Sequence, residues 1–376
     1  MPPTRDKPMD KTAWKKMKES RKAVKEMKML RQVAKLEKAA KAAEAAQNNQ
    51  EENVRSLKRS TLSIAIPSSI LENAQSPELR TYLAGQIARA ACVFKVDEVV
   101  VFDDIGTCAP NDVTFQIEAA ADSGVDHKTP IRRSCVQMAR ILQYLECPQY
   151  LRRFFFPLHK DLQYAGLLNP LDAPHHLRQD DDFPFREGVV SNQPTKQGRG
   201  SLVNVGLTRD VLIDRQLEAG LRVTVKLLPP KEGSKKMQGC VVTPQTPEAV
   251  TGRYWGYSVR LASSLSAVFS QAPYSGGYDL TLGTSDKGEN IDELVLSGGL
   301  PTHQHALVVF GGLAGLEGAL EADPVIQVDD PSLLFDYYFN TCPDQGSRTI
   351  RTEEALLISL AALRPLLVQV NSSNGS

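Results

Sequence analysis

The sequence predicts an α/β protein whose parallel sheet is interrupted by a small β-barrel and preceded by a basic tail. A buried-type strand, an amphipathic helix and a second buried-type strand follow one another between Leu62 and Phe102. This order is typical of a βαβ unit with two parallel strands. Residues 186–250 then change to short alternating strands separated by glycine and proline, and after Trp255 the α/β pattern returns.

Charge is distributed unevenly along the 376 residues, although the formal net charge is zero. Residues 1–60 carry 17 Lys/Arg against 8 Asp/Glu, and residues 186–253 carry 11 against 6. Residues 61–185 carry 11 against 16, and residues 254–376 carry 5 against 14. Two basic segments beside an acidic body favour a polyanionic partner that the basic segments hold.

Several classes of protein are disfavoured by composition. The six cysteines include no C-x-x-C pair, which predicts a reduced intracellular protein without a zinc site or a disulfide framework. No run of 18 apolar residues is present, so we expect no membrane span, and the N-terminus has no signal-peptide core. His175 and His176 are adjacent but lack a further cluster at ligand spacing, so we expect no metal.

Residues 1–60 form a low-complexity tail rich in Lys, Ala, Glu and Gln. Its composition favours helix, and a thin apolar stripe runs from Trp14 to Leu36. The tail is either a solvated helix, an RNA-contacting arm, a nuclear-import signal or a disordered segment with transient helix.

Residues 61–185 are predicted to be the first part of the α/β domain. Leu62–Ile66 reads as a strand stopped by Pro67, and Ser76 followed by proline and glutamate is a strong helix start. The next strand ends in Asp103 and Asp104, which are either catalytic carboxylates or solvated loop residues. Cys135–Glu146 follows as an amphipathic helix.

Residues 186–250 are predicted to form a small barrel of the OB type. Leu221–Leu227 alternates apolar and polar side chains, and shorter strands are expected at Ser201–Val205, Val211–Ile213 and Gly239–Val242. The excess of Lys and Arg fits a barrel that faces nucleic acid. The alternative is a structural or dimerising barrel with a solvated surface.

Residues 251–370 are predicted to return to the α/β domain. The expected elements are a helix at Val259–Phe269 and strands at Tyr278–Leu282, Ala306–Phe310 and Leu334–Phe339. Small or polar residues follow each of these strands, and ligands of open α/β sheets bind outside the carboxyl ends of the strands. The three segments are Gly283-Thr284-Ser285, read as a tight turn, Gly311-Gly312 and Asn340-Thr341.

The third of these segments leads through a turn-rich loop into an apolar helix. Thr352 is the expected N-cap, and Glu353 and Glu354 lie where the helix dipole favours carboxylates. The helix has little polar face, so we expect it to be largely buried. The segment either helps to hold a small ligand or is an ordinary strand–loop–helix connection. No G-x-G-x-x-G or P-loop pattern follows any strand.

Taken together, the motifs resemble the SPOUT superfamily of S-adenosylmethionine-dependent RNA methyltransferases. The resemblance rests on TLGTS, FGGLAGLE and NTCPDQGSRTIRTEEALLISL, in this order near the C-terminus. RTYLAGQIARA, QYLECPQYLR, AGLLNPLD and RLASSLSAVF extend it over residues 61–370. Among SPOUT proteins, the chain is similar to the archaeal and eukaryotic branch in which an OB-like barrel interrupts the methyltransferase domain. The resemblance implies a trefoil knot, a rare exception among folds.

The resemblance also implies a cofactor, S-adenosylmethionine, bound on the backbone of the knot loops, and a homodimer that completes the substrate side. Arg351 and Glu353 flank the third loop as catalytic candidates: Arg351 to bind phosphate or orient the acceptor, and Glu353 as base or as a simple helix carboxylate. Lys287 stands in an SDKG context where relatives often have another basic residue. The implied cofactor-binding residues are Thr284, Lys287, Gly311, Gly312, Asn340, Thr341, Arg348, Thr349 and Ile350.

The expected reaction is methyl transfer to RNA in the nucleus, which requires positioning of the acceptor and removal of its proton. A base nitrogen and a ribose hydroxyl are both open as acceptors, and family analogy favours a uridine ring nitrogen in ribosomal RNA. The alternatives are a non-catalytic RNA-binding or scaffold protein that keeps the fold, and a protein methyltransferase.

Overall fold

The computed structural model of the protein describes residues 60–106, 113–114, 131–193, 200–229, 237–297 and 299–367. The predicted basic tail lies outside the described residues except for Ser60. Lys196, Arg199, Lys235 and Lys236, which contribute to the basic character predicted for the barrel, also lie outside them.

The strands of the described chain belong to three sheets, one of them a short pair. In chain order they are β1 (Thr61–Pro67), β2 (Glu98–Phe102), β3 (Val113–Thr114), β4 (Ile131–Arg132), β5 (Phe185–Val190), β6 (Leu202–Asn204), β7 (Val211–Leu212), β8 (Arg222–Leu227), β9 (Gly239–Val242), β10 (Ser258–Ala262), β11 (Leu280–Asn290), β12 (His305–Val309) and β13 (Tyr337–Asn340).

The α-helices of the described chain connect these strands, together with short 3₁₀ turns such as Ser68–Leu71 and Pro331–Leu334. In chain order they are α1 (Pro77–Val93), α2 (Arg133–Glu146), α3 (Gln149–Phe155), α4 (Thr246–Thr251), α5 (Leu265–Ser270), α6 (Ile291–Ser297), α7 (Gly315–Glu321) and α8 (Thr352–Leu367).

The main sheet has six parallel strands in the order β10-β2-β1-β12-β11-β13. Ile64 of β1 lies between Val99 of β2 and Val308 of β12, and all three are fully buried. Parallel sheets need helices on both faces, which explains why these strands are continuous apolar runs. The prediction of an α/β protein with a parallel sheet is confirmed.

Helices cover both faces of this sheet. On one face, α1, α2 and α8 pack over the side chains of Ile64, Val99 and Val308. On the other face, α5 and α7 pack over Ala65 and Val309, which alternate with the first set along their strands. The α1 start is as predicted, because the Ser76 hydroxyl accepts a hydrogen bond from the Leu79 N–H at 3.3 Å.

A second sheet of five antiparallel strands, in the order β7-β6-β5-β8-β9, is inserted between α3 and α4. A bridge between Leu212 and Gln238 brings the first edge strand towards the start of β9, so the sheet curls around its own core. Val203, Val211 and Val225 fill this core.

Buried charges join the antiparallel sheet to the α/β body. Arg222 of β8 donates two hydrogen bonds to Glu146 at the end of α2, at 2.7 and 3.0 Å, and one to Glu187 of β5 at 2.9 Å. The backbone carbonyl of Glu146 accepts hydrogen bonds from the Nε2 atoms of His175 and His176 at 2.9 and 2.6 Å. The two histidines therefore serve the junction between the sheets.

Several local predictions after Trp255 are wrong. Val259–Phe269 is not one helix: Ser258–Ala262 is strand β10, which pairs with β2, and the helix begins only at Leu265. The strand is favoured because Arg260, 7 % exposed, donates a 2.8 Å hydrogen bond to Glu98, which is buried on β2. A contact between residues so far apart in sequence overrides the local helical pattern.

The third predicted strand and the tight turn also differ from the observed structure. Pro331–Leu334 is a 3₁₀ turn, and the strand itself is Tyr337–Asn340. Gly283-Thr284-Ser285 is not a turn, because β11 continues to Asn290. The register of β11 against β13 shifts between Thr284 and Glu289, so the extra residues of β11 are accommodated as a bulge.

Helix α8 is less buried than predicted. Leu356, Ser359, Leu360 and Leu363 form its buried face, whereas Leu357 is 44 % exposed. The cap prediction is also wrong, since the helix begins at Thr352 and Arg351 occupies the capping position. The backbone N–H of Arg351 donates to the Glu354 carboxylate at 3.0 Å, a hydrogen bond like that of a capping box.

No helix within the described ranges is long and apolar enough to cross a membrane. The same ranges contain no group of three or more His, Cys, Asp or Glu side chains that could hold a metal ion. The described cysteines are free thiols: Cys92, Cys135, Cys147, Cys240 and Cys342.

Candidate functional site

A cleft of about 1020 Å³ lies beside the second half of β11 and at the carboxyl ends of β12 and β13. One wall is formed by the second half of β11 and by the segments that follow β12 and β13, and the other by the start of α1 and the turn before it. All eleven site residues predicted from the sequence line this cleft: Thr284, Lys287, Gly311, Gly312, Asn340, Thr341, Arg348, Thr349, Ile350, Arg351 and Glu353.

The first loop belongs to the second half of β11. The hydroxyl of Thr284 donates to the carbonyl of Val309 at 3.1 Å, which ties β11 to the end of β12. Lys287 is largely exposed, and its ammonium donates to the Glu317 carboxylate of α7 at 2.6 Å. This hydrogen bond raises the pKa of Lys287, so the side chain carries its positive charge at the mouth of the cleft.

The second loop follows β12 and turns tightly into α7. The N–H of Gly315, where φ is +72°, donates to the carbonyl of Gly312 at 3.1 Å. A Cβ atom on Gly311 would lie 2.7 Å from the backbone of Gly315. The loop therefore closes on itself, and glycine is needed for that close approach of backbone to backbone.

The floor below the second loop contains a pair that sequence reasoning had not connected with it. The Ser69 hydroxyl donates to Asp104 at 2.5 Å, and a Cβ on Gly312 would lie 2.7 Å from both side chains. Burial raises the pKa of Asp104. Asp103 is turned instead towards Arg132, whose Nε atom lies 3.2 Å away. The two carboxylates thus hold loops in place.

The third loop is tied to both others. Asn340 donates from its amide nitrogen to the carbonyl of Asp286 at 3.1 Å. The hydroxyls of Thr341 and Ser359 are 2.6 Å apart, which joins β13 to the buried face of α8. The Thr352 hydroxyl donates to the carbonyl of Gly311 at 2.9 Å. Three segments remote in sequence are therefore cross-linked by hydrogen bonds around one cleft.

Charged groups of both signs surround the cleft. Arg348 and Arg351 are exposed on the third loop, and Lys287 lies on the first. Glu353, partly exposed in the first turn of α8, contributes a carboxylate. Glu354 makes the helix-capping hydrogen bond, and Glu353 and Glu354 both lie in the first turn of α8.

The opposite wall was not predicted as part of the site. Asn73 and Gln75 lie in the segment before α1, and Tyr82 and Gln86 lie one turn apart on α1. Leu79 also lines the cleft and is about half exposed. The spacing of Tyr82 and Gln86 is the signal that sequence reasoning could have used, because i and i+4 side chains share a helical face.

The cleft can hold a ligand with an apolar planar part and charged ends. Leu313, Ile350 and Ile358 supply apolar surface within it. Its volume is at the upper end of the range of small-molecule pockets in proteins. Lys287 and Glu353 supply opposite charges at the margin.

Comparison with known proteins assigns a family to this architecture. Residues 61–363 match the family model described as "Putative RNA methyltransferase". A human protein named 28S rRNA (uridine-N(3))-methyltransferase is 60% identical over 313 residues, which cover 83% of this chain and 80% of the relative. The mouse protein of the same name is 59% identical over 320 residues, covering 84% and 79%.

A Drosophila melanogaster protein of that name is 53% identical over 358 residues, covering 94% of this chain and 73% of the relative. The family match contains every segment that lines the cleft. The chain therefore belongs to this family of RNA methyltransferases.

Proposed function

We propose that the protein transfers a methyl group from S-adenosylmethionine to N3 of a uridine in 28S ribosomal RNA. The target follows the activity named for relatives that are 53–60% identical over most of both chains. The structural observation that carries the proposal is the convergence of three strands on one cleft lined by all eleven predicted residues.

The cleft fits S-adenosylmethionine by the chemistry of its lining. The cofactor has an adenine ring, which needs apolar surface such as Leu313 and Ile358 supply in the cleft, and an amino-acid end with a carboxylate and an ammonium group. Arg348 and Lys287 are suited to the carboxylate. The bound cofactor supplies an electrophilic methyl group.

We also propose that the parallel sheet is a SPOUT domain with a trefoil knot and that the curled antiparallel sheet is its OB-like insertion. Supporting the knot, Gly288 of β11 lies so close to β13 that a Cβ would be 2.3 Å from the Phe339 carbonyl carbon. The hydrogen bond of Thr352 to Gly311 brings the final helix against the second loop. The insertion has five antiparallel strands and a shared apolar core.

The proposed reaction assigns roles to two side chains of the third loop. Methylation of uridine N3 removes its proton, so a base is needed beside the acceptor. Glu353 is the proposed base, because it lines the cleft while Glu354 caps the helix. Arg351 is exposed next to it and is proposed to hold the uracil carbonyl or the adjacent phosphate.

The test is methylation of in-vitro-transcribed 28S rRNA, followed by mass spectrometry of the nucleosides. We expect 3-methyluridine with the wild-type protein, loss of kcat for Glu353→Gln, and a raised KM for RNA with Arg351→Ala. Glu354→Gln is the matched control, since it changes the adjacent carboxylate without touching the proposed base. Methyl label found only in protein, or only on ribose, would overturn the assignment.

The assembly and location are proposed on narrower grounds. Leu79, Tyr82 and Leu357 expose apolar surface beside the cleft, which supports a homodimer across α1 and α8. Sedimentation should then give twice the mass of the chain, and Tyr82→Glu should give the monomer.

The nucleus is the proposed location because the proposed substrate is ribosomal RNA. Microscopy of the tagged full chain tests it.

A further inference from the structure

A basic and aromatic surface runs along the outer side of α2 and α3, away from the cleft itself. Arg133, Arg140 and Tyr144 are spaced by seven and four residues, which places them on one stripe of α2. The inward side of the same helix, including Met138 and Leu142, is buried in the core. The stripe therefore lies on the outer side of this helix, which is about 21 Å long, with Arg133 exposed and Arg140 and Tyr144 partly exposed.

Side-chain contacts carry this surface from α2 onto α3 and the segment after it. The ring of Tyr144 meets that of Phe156 edge to face at 5.6 Å. A nitrogen of the Arg140 guanidinium lies 3.1 Å from His159, and Arg140 also pairs with Asp161. These contacts make one continuous surface, which we call the α2–α3 strip.

The outer end of the α2–α3 strip exposes an aromatic ring beside a positive charge. Phe154 is 46 % exposed, and the guanidinium of Arg153 lies 4.8 Å from the centre of its ring. Leu158 is fully exposed and Lys160 is exposed. Arg152 differs from these, because it donates to the carbonyls of Cys147 and Leu145 and so holds the turn between the helices.

Charge on this stretch is opposite to that of its surroundings. Residues 133–161 contain five Lys/Arg and two acidic residues: Glu146, which is buried and paired with Arg222, and Asp161, which is paired with Arg140. Residues 61–185 as a whole contain 11 Lys/Arg against 16 Asp/Glu. A basic stretch with exposed aromatic residues in an acidic body matches a single-stranded polyanion whose bases can stack.

Three arginines of the antiparallel sheet are buried or paired with carboxylates. Arg186 is 1 % exposed, Arg222 is held by two glutamates, and Arg215 is paired with Asp214. By contrast, Arg153 and Lys160 of the α2–α3 strip are exposed.

The position of the strip connects the two parts of the molecule. Its first end is beside the cleft floor, where Ser134 of α2 donates to Ser68 at 3.1 Å in the turn that also carries Ser69. Its other end is beside the junction of Glu146 with Arg222. RNA lying on it would lead from the antiparallel sheet towards the cleft.

We propose that the α2–α3 strip binds unpaired RNA next to the methylated nucleotide, with Arg153 and Lys160 contacting phosphates and Phe154 stacking on a base. This inference rests on the proposed function, since it takes RNA to be the substrate. It goes beyond that function by assigning the flanking RNA to a surface outside both the cleft and the antiparallel sheet.

The test uses the full chain, labelled single-stranded oligouridine, and in-vitro-transcribed 28S rRNA. Phe154→Ala should weaken oligouridine binding about fivefold or more, the loss expected for one stacked base. Arg153→Glu with Lys160→Glu should weaken it further and make the salt dependence shallower, by about one released counterion for each phosphate that is no longer neutralised. Arg215→Glu, at an exposed arginine of the antiparallel sheet outside the strip, is the matched control and should bind normally.

Calorimetry with S-adenosylmethionine separates a local effect from misfolding, and all four substitutions should leave cofactor affinity unchanged. If wild type, Phe154→Ala and the double variant bind oligouridine equally well, the proposal that the strip binds RNA is wrong. This result is expected if a protein partner occupies the strip instead. The two proposals can fail separately. If the wild-type protein leaves 28S rRNA unmethylated but the strip variants still bind RNA more weakly than wild type, the proposed function is wrong and RNA binding by the strip stands.

Discussion

Replacing Arg222 by methionine should destabilise the protein by up to about 3 kcal/mol, the lower end of the cost of removing one partner from a buried ion pair, because the Arg222 side chain is itself 33% exposed. Arg222 makes three charge-assisted hydrogen bonds, at 2.7, 2.9 and 3.0 Å, to two carboxylates that are 6% and 4% exposed. Methionine keeps the apolar stem and removes the charge. Glu187 retains hydrogen bonds from Thr224 and Trp255. Most of the lost stability therefore comes from Glu146, which loses two hydrogen bonds from Arg222.

The pH dependence of this loss has a defined sign. Burial alone would raise the pKa of Glu146, but the charge and hydrogen bonds of Arg222 and His175 outweigh it and hold the pKa well below its ordinary value. The paired carboxylate therefore stabilises the fold above the unfolded pKa of about 4.3, and this stability is lost as pH falls. Without Arg222, burial raises the pKa of Glu146. The loss of stability caused by Arg222→Met should therefore become smaller as the pH falls from 7 to 4.

The assay is urea unfolding followed by tryptophan fluorescence, since Trp255 donates to Glu187 at 2.7 Å within the same junction. Arg215→Met is the matched control: its partner is the exposed Asp214, and we expect a loss below about 1 kcal/mol. Adding Glu146→Gln to Arg222→Met should recover part of the stability. The reasoning is refuted if Arg222→Met is no more destabilising than Arg215→Met.

Three further predictions concern the cleft and the junction. Gly312→Ala should weaken cofactor binding because its Cβ would separate Ser69 from Asp104, and adding Ser69→Ala and Asp104→Ala should restore part of the affinity in calorimetry. Thr352→Val should cost about 1 kcal/mol in urea unfolding by removing one hydrogen bond to the second loop. Burial lowers the pKa of His176 to about 4, so the unfolded chain takes up a proton at a higher pH than the folded protein does. The free energy of unfolding of the wild type should therefore fall by up to about 3 kcal/mol between pH 6.5 and 4, and that of His176→Gln should fall less.

Local signals in the sequence were sufficient for much of the fold. The start of α1 is encoded by Ser76 and the proline after it, and β1 and β2 by uninterrupted apolar runs between Thr61 and Phe102. These signals act within a few residues. Such signals predict helix or strand correctly when the pattern of apolar residues agrees with them.

The errors arose where distant contacts decide local structure. Strand β10 has apolar residues at helical spacing, yet the buried pair of Arg260 with Glu98 and the pairing with β2 make it a strand. The extension of β11 to Asn290 depends on β13, which lies some fifty residues later. No window of sequence around Gly283 contains that strand, so a glycine that permits close packing was read as a turn.

The same distinction changes the interpretation of the glycines around the cleft. In the sequence analysis, Gly312 was one of the residues whose backbone was implied to bind the cofactor. In the structure its missing Cβ would point at Ser69 and Asp104, and that of Gly283 would point at the rings of Phe335 and Tyr338. Both glycines allow the chain to pack against itself.

Cofactor binding is therefore expected to depend on these glycines indirectly. The hydrogen bonds from Thr284 to Val309 and from Thr352 to Gly311 join the three loops, and each requires that neighbouring backbones approach closely. If the loops shift apart, the arginines and carboxylates at the rim lose their relative positions even though no ligand-contacting atom has been removed. This is why restoring space below Gly312 should rescue binding, whereas a ligand in direct contact with Gly312 would still be excluded by the added methyl group.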